Sequence, residues 1–240
     1  MATEGGTDRA TGGKQHSWRI EPREYARHEA RRGRRFAFPR LVPARTALVV
    51  IDMIPFFVEE NPYCRGTVPV VDRLAGALRR AGGTVAWVVP AVPARATAAA
   101  VAFYGQEVAE KYRAGGGAGP PPARLWPGFQ VHEGDVVAEK SAASAFFPGR
   151  CVLPEVLARQ GIDTVLITGT LTNVCCESSA RDASTLGLRV VMVADATAAV
   201  GDTEHNATLH TIYRSFGDVR PAEEVLTMIA DGGARAAGPP

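Results

Sequence analysis

The sequence predicts an α/β protein with a mostly parallel sheet covered by helices on both faces. Three observations predict it. The apolar runs Ala47–Ile51, Thr84–Val89, Thr164–Thr168 and Arg189–Val193 are nearly continuous in hydrophobicity instead of alternating. Strands buried on both faces read this way. Segments of helical period separate the runs, as crossover connections between parallel strands require. Each run ends in a polar or turn-forming residue, as strands do where a ligand crevice opens.

Taken in order, the first strand covers Ala47–Ile51 and ends at Asp52. A helix follows from about Val68 to Ala81, with Val71, Leu74, Ala75 and Leu78 on one face and Gly82-Gly83 as its stop. The second strand, Thr84–Val89, ends at Pro90. Ala91–Gly134 is irregular: a short helical stretch near Val101–Lys111 precedes a Gly115–Gly117 run and a Pro120–Pro122 run. The third strand, Asp135–Glu139, ends at Lys140, and a helix near Pro154–Gln160 leads to the fourth at Thr164. A helix running to Gly187 carries Cys175 in its first turn. The fifth strand, Arg189–Val193, is followed by a helix over about Asp202–Arg214, a short segment at Gly217–Arg220 and a last helix opened by Pro221.

A chain of 240 residues, 46% hydrophobic, is long enough for one substantial core. Residues 1–44 read as an extension, disordered up to about Lys14 and basic from Arg19 to Arg40; residues 45–240 read as the domain. Glu21, Glu24 and Glu29 interrupt the basic stretch, which fits a solvated or subunit-contacting arm better than a transit peptide. A net charge of +2 argues for neither nucleic acid nor a membrane surface, and no apolar run is long enough to span a bilayer. Cys64, Cys151, Cys175 and Cys176 form no CxxC pair. Without a secretory signal, the expected location is the reducing cytoplasm. His16, His28, His132, His205 and His210 show no metal-binding spacing, and no phosphate-cradling glycine motif is present, so neither a metal nor another cofactor is expected.

Asp52, Lys140 and Cys175 each fall just past the end of a different strand, which places an acid, a cation and a thiol on one rim of the sheet. Each has a plainer role when taken alone: a turn cap, a solvated cation and a small buried hydrophobe. Together they suit nucleophilic chemistry. Helix N-terminal N–H groups favour a thiolate at Cys175, Asp52 serves as general base and then acid, and Lys140 stabilises both anions. Backbone N–H groups of Leu171 and Cys175 are placed to bind an oxyanion. Cys176, rotated about 100° along the helix, points elsewhere.

Three blocks carry a resemblance to a known family: Ala47–Met53; Glu139-Lys140-Ser141 with Ala145-Phe146-Phe147; and Thr168–Ala183, which contains Thr172-Asn173-Val174-Cys175. The chain resembles the isochorismatase-like cysteine hydrolase superfamily from about Thr46 to Leu226. The resemblance implies a Rossmann-like three-layer α/β/α sandwich. It also implies an Asp52–Lys140–Cys175 triad that hydrolyses a C–N bond. A cis peptide between Thr170 and Leu171 is implied too, turning the Leu171 N–H toward the oxyanion. The stretch Met53–Asn61 lacks the histidine of the nicotinamidase metal site, and Cys175 sets the chain apart from the vinyl-ether-cleaving isochorismatases. The segments Asp52–Val58, Asn61-Pro62-Tyr63 and Glu204–Leu209 look most like actinobacterial-type amide hydrolases, among them the streptothricin hydrolases, which open a lactam.

The resulting expectation is a metal-free cysteine hydrolase for a small amide, lactam or ureido compound, working as a dimer or tetramer. Vinyl-ether hydrolysis and a catalytically silent binding module are the alternatives. Phe56, Phe57, Trp87 and Phe146 are the candidate apolar pocket walls, with core packing as the other reading. Glu59 and Glu60 are candidate attractors for a cationic substrate or a solvated face. Ala91–Gly134, with Phe103, Tyr104, Tyr112, Trp126 and Phe129, is expected to form a lid or a subunit-contacting flap.

Overall fold

A computed structural model describes residues 12–236. Six strands form one sheet in the order β3-β2-β1-β4-β5-β6: β1 (Thr46–Ile51), β2 (Thr84–Pro90), β3 (Val136–Lys140), β4 (Thr164–Thr170), β5 (Arg189–Ala198) and β6 (Asp218–Arg220). Every neighbouring pair is parallel. β1 lies at the centre, where the strand order reverses between β1 and β4. Open sheets of this class form their ligand crevice at that switch point.

The two-residue period of a strand divides β1 between two cores. Ala47, Val49 and Ile51 face one side with Leu153, Leu157, Ala180, Leu209 and Ile212. These come from α6 (Leu153–Arg159), α7 (Glu177–Thr185) and α8 (Asp202–Ser215). Leu48 and Val50 face the other side with Val71, Leu74, Leu78, Val225 and Ile229. These belong to α3 (Pro62–Arg80) and α9 (Ala222–Ala236), and the three-layer sandwich is complete.

Several elements differ from the sequence reading. Helix α3 begins at Pro62, ahead of the expected Val68, because Asn61 caps it: Asn61 Oδ1 accepts from the N–H groups of Tyr63 (2.9 Å) and Cys64 (3.4 Å). Pro69 lies inside this helix. A four-residue helix, α2 (Pro55–Val58), follows β1, and the short segment near Gly217 is strand β6. The irregular insertion contains α4 (Ala98–Tyr104), α5 (Gln106–Gly115) and a 3-10 turn at Pro121–Arg124.

The expected solvated arm is largely folded onto its own domain. It forms α1 (Pro22–Arg32), opened by Pro22 and closed by Gly33 in the left-handed conformation (φ 71°). His28 Nε2 bonds the Tyr213 carbonyl at 3.1 Å, and Tyr213 donates its hydroxyl to the Arg35 carbonyl at 2.6 Å. The buried Asp218 carboxylate accepts the N–H groups of Ala37 and Phe38. Of the arm's arginines, Arg19, Arg27, Arg32 and Arg35 pair with carboxylates of the same chain, and Arg34 donates to the carbonyls of Phe36 and Ala37. The expected disorder of residues 1–11 lies outside the described residues. Gly12–Lys14 are placed, with the Lys14 N–H donating to the Pro62 carbonyl.

Candidate active site

Asp52 is the first residue past β1 and takes a left-handed backbone conformation (φ 53°). Asp tolerates that region better than most residues, because its short side chain bonds locally. Its N–H donates to Val88 and its carbonyl accepts from Ile54, so the bend is held at both ends. The neighbouring strand approaches closely: a Cβ on Gly169 (φ 104°) would lie 2.1 Å from the Ile51 carbonyl. Only glycine fits there. Asp52 and the turn after β4 are thereby brought side by side at the switch point.

The structure brings together the three sequence-derived candidates. Lys140 Nζ lies 2.8 Å from Asp52 Oδ2 and 3.4 Å from Cys175 Sγ, and donates to the Ala142 carbonyl at 3.2 Å. Asp52 and Lys140 are almost fully buried, whereas Cys175 is partly accessible. An accessible sulfur backed by two buried charges is the arrangement a nucleophile needs.

The electrostatics correct one sequence expectation. Burial, reinforced by the Asp52 charge, pushes the Cys175 thiol up to about 12 despite Lys140 beside it. The shift runs opposite to the lowering that the helix-terminus argument favours, and it favours the thiol at rest. Burial raises the Asp52 carboxyl above its ordinary range, against the pull of Lys140. For Lys140, burial acts to lower the ammonium, but the charge of Asp52 beside it, with the hydrogen bonds to Asp52 and Cys175, outweighs burial and the group is raised. The site holds a proton donor, Cys175, against an acceptor, Asp52, with a fixed cation on both.

The backbone around the thiol opens as a wide turn at Thr172–Cys176 before α7. The Leu171 carbonyl accepts from Val174 and from Cys176, each at 3.1 Å, passing over the Cys175 N–H between them. Such wide turns recur at functional sites. The peptide between Thr170 and Leu171 is cis. Cys176 is fully buried, its Sγ 3.8 Å from the Thr168 carbonyl, pointing into the sheet as the helical rotation requires. The family-like residues after it are structural. Ser179 accepts the Ala145 N–H at 2.9 Å and ties the loop after Lys140 to α7. Glu177 takes the Thr208 hydroxyl at 2.6 Å.

A cleft of about 500 Å³ opens beside the turn, lined by Phe56, Phe57, Leu171, Val200 and Tyr112 among others. Phe56 and Phe57 are therefore wall residues. Trp87 and Phe146 are not, which corrects the sequence reading. Trp87 lies within β2 and is buried against Phe129 with its indole N–H bonded to Asp135 at 2.8 Å. Phe146 is fully buried on the core face shared with α6–α8. Glu60 and Lys111 sit among the cleft residues, whereas Glu59 does not. The insertion divides in two. Leu125 and Phe129 join the core, while α5 places Val108, Lys111 and Tyr112 on the cleft and α4 leaves Phe103 80% exposed.

Sequence reasoning missed a ring stack beside the turn that follows β4. His16 lies 3.8 Å from Tyr63 on one face and 4.1 Å from His205 on the other, near-parallel to both. His205 was rejected as a metal ligand, and its place in the block Glu204–Leu209 was the available signal. Among the described residues no cluster of three or more metal-ligating side chains occurs, and no helix is long and apolar enough to cross a membrane.

The fold and the rim define an α/β protein whose chemistry-bearing residues gather at the carboxyl edge of a parallel sheet. Residues 46–224 match the Isochorismatase domain. An isochorismatase family protein of Bacillus subtilis, YwoC, is 33% identical, covering 77% of this chain and 94% of that protein. The ureidoacrylate amidohydrolase RutB of Agrobacterium fabrum is 30% identical, covering 79% and 92%. The crystal structure of a cysteine hydrolase from Pseudomonas syringae superposes with a TM-score of 0.72 at 26% identity, covering 82% of this chain and 97% of the other. The chain belongs to the isochorismatase family of hydrolases.

Proposed function

We propose that this protein is a cysteine amidohydrolase that cleaves a C–N bond of a small amide, lactam or ureido compound without a metal. The observation that carries this reading is the single ammonium of Lys140 bonded to both Asp52 and Cys175. In the first step Sγ attacks the carbonyl carbon while its proton passes to Asp52. A base with a raised pKa is suited to that transfer near neutral pH. Lys140 offsets the negative charge as sulfur loses its proton, and the N–H groups of Leu171 and Cys175 bind the oxyanion. Collapse breaks the C–N bond, and Asp52 returns the proton to the leaving nitrogen. Water then attacks the thioester, with Asp52 as base, releasing the carboxylate (a carbamate from a ureido carbonyl) and restoring the thiol.

The cleft indicates the kind of acyl group. Phe56, Phe57, Tyr112, Leu171 and Val200 offer apolar and aromatic surface, and Lys111 and Glu60 offer one charge of each sign. A substrate with an aromatic or apolar face and a polar tail fits this lining. The similarity to ureidoacrylate amidohydrolase supports the bond type and leaves the acyl group open.

The test is turnover of a panel of aryl and alkyl primary amides, small lactams and ureido acids, with released amine or ammonia measured. Release by the wild type, its absence in Cys175→Ala and an acyl adduct on Cys175 are expected. Release that persists in Cys175→Ala would overturn the reading.

A further inference from the structure

We infer that His16, which lies outside the matched family domain, is a positioning residue for the oxyanion turn. The link runs through two side chains. The His16 ring stacks on His205 at 4.1 Å with the planes 10° apart, and His205 Nδ1 shares a 3.0 Å hydrogen bond with Thr172 Oγ1. Thr172 follows Leu171, the residue whose N–H is assigned to the oxyanion. Thr172 and His205 are fully buried and His16 nearly so, so a shift of the ring has no solvent to absorb it.

His16 is fixed on all sides. Its Nε2 accepts the Ala199 N–H at 3.0 Å, which leaves the proton on Nδ1, 2.7 Å from Asp202 Oδ1. Tyr63 covers the other ring face at 3.8 Å. The residues beside it continue the docking. Gln15 donates to the Gly66 carbonyl at 2.6 Å, and Asn206 bonds the Arg19 N–H and the Ser17 carbonyl. The arm passes α3 because residue 66 has no side chain: a Cβ there would lie 2.1 Å from the Lys14 carbonyl.

The consequence lies at the cleft. Asn61 and Pro62, Leu171, and Val200 line it from three separate segments. Lys14 bonds Pro62, His16 bonds Ala199, and through His205 the same ring reaches Thr172. A short piece of the arm therefore joins all three walls. The turn has other supports, since Thr170 bonds Cys64 and the Ala198 carbonyl. Loss of His16 is expected to loosen the donors, not remove them. Misplacement of about an ångström in such a group costs on the order of tenfold to a hundredfold in rate.

The inference rests on the amidohydrolase reading for one of its two readouts. The first is kinetic. His16→Ala should lower kcat about tenfold with a smaller change in KM, and added imidazole should restore part of it by refilling the stack. Gly66→Val, whose side chain would meet the Lys14 backbone and push the arm away, should reproduce the kcat loss. The second needs no substrate. Amide hydrogen exchange over residues 170–176 should quicken in both variants at temperatures where circular dichroism shows them folded. Unchanged exchange there would overturn the positioning role whatever the substrate proves to be. Where the wild type turns over, kcat within twofold in His16→Ala would also overturn it. A wild type that hydrolyses no amide, with exchange quickened as expected, would count against the amidohydrolase reading alone.

Discussion

The ammonium of Lys140 lies 3.4 Å from the sulfur of Cys175, although β2 and β1 separate their strands in the sheet. The long lysine side chain crosses that gap beneath Asp52, which it meets at 2.8 Å. Both charges are buried, and their pairing is what makes burial tolerable. The grouping of Asp52, Lys140 and Cys175 is thus a property of sheet order as much as of sequence: β1 and β4 adjoin at the switch point, and β3 supplies the cation from the edge.

Replacement of Cys175 by Ala should reduce turnover by a factor on the order of 10³ or more and leave the fold intact, since the residue is partly accessible. Cys176→Ala should keep most activity but cost about 1 kcal/mol of stability, because Cys176 is fully buried. Mass spectrometry of a trapped acyl adduct distinguishes the two sulfurs. An adduct on Cys176 would reassign the nucleophile.

With the Cys175 thiol pushed up to about 12, alkylation by iodoacetamide should be slow at neutral pH and still rising at pH 9. Asp52→Asn removes the carboxylate charge that helps raise the thiol, so its alkylation should quicken at a given pH. The same variant should lose turnover by about 10²- to 10⁴-fold, because the base is gone. Opposite movements of the two rates are the signature of a base. A parallel fall in both would assign Asp52 to mere support of the fold. In the wild type the acid limb of kcat/KM reports Asp52 taking a proton, and burial should place it above the ordinary carboxylate range.

Lys140→Met should fail in a different way. It leaves the Asp52 carboxylate buried without its cation, an arrangement that costs about 3–5 kcal/mol when one partner of a buried pair is removed. Urea unfolding should show that loss alongside the loss of turnover. The double variant Asp52→Asn with Lys140→Met should recover part of the stability and none of the activity.

His205 sets a pH dependence of stability. Burial, with His16 adding to it, lowers its pKa to about 3, whereas in the unfolded chain it titrates near its ordinary 6.5. Between those values the unfolded state binds the extra proton, so stability falls as pH drops below 6.5. The slope from this one group approaches about 1.4 kcal/mol per pH unit. His16 and Thr172 face the ring, with Asp202 one turn earlier on α8. His205→Gln should flatten the slope of urea stability between pH 7.5 and 5.5. An unchanged slope would mean that other groups carry it.

The strands and their polar ends were legible because continuous hydrophobicity marks a doubly covered sheet, and Asp52 and Cys175 sit directly at those ends. Lys140 was legible for the same reason. Trp87 was misread because nothing local in a continuously apolar strand shows where an aromatic ring will pack; its partner, Asp135, lies 48 residues away. Phe146 was misread because the loop after Lys140 turns it into the core, a turn set by Ser144 and Ser179 bonding the local backbone. The docking of the arm was not legible at all. Its bonds join residues far apart in the chain, from Gln15 with Gly66 to His16 with Asp202, and no local pattern encodes such contacts.

The final prediction concerns the cleft wall shared by α2 and α5. The rings of Phe56 and Tyr112 meet edge to face at 5.9 Å, and α5 approaches so closely that a Cβ on Gly115 would lie 2.5 Å from the Phe56 ring. Gly115→Ala must therefore move Phe56, and the open space lies on the cleft side, which the same ring lines. That change should narrow the cleft and raise KM for bulky aryl amides while sparing the smallest amides. Phe56→Ala acts on the same wall in the other sense. It removes apolar contact and should raise KM for aryl amides about tenfold or more, with kcat changed less, because the ring binds ground state and transition state alike. Tyr112→Ala should share the effect, since α5 carries that ring to the same wall. KM values for aryl and small amides that move together in all three variants would mean that substrate enters elsewhere, and that α4 and α5 are a passive surface loop.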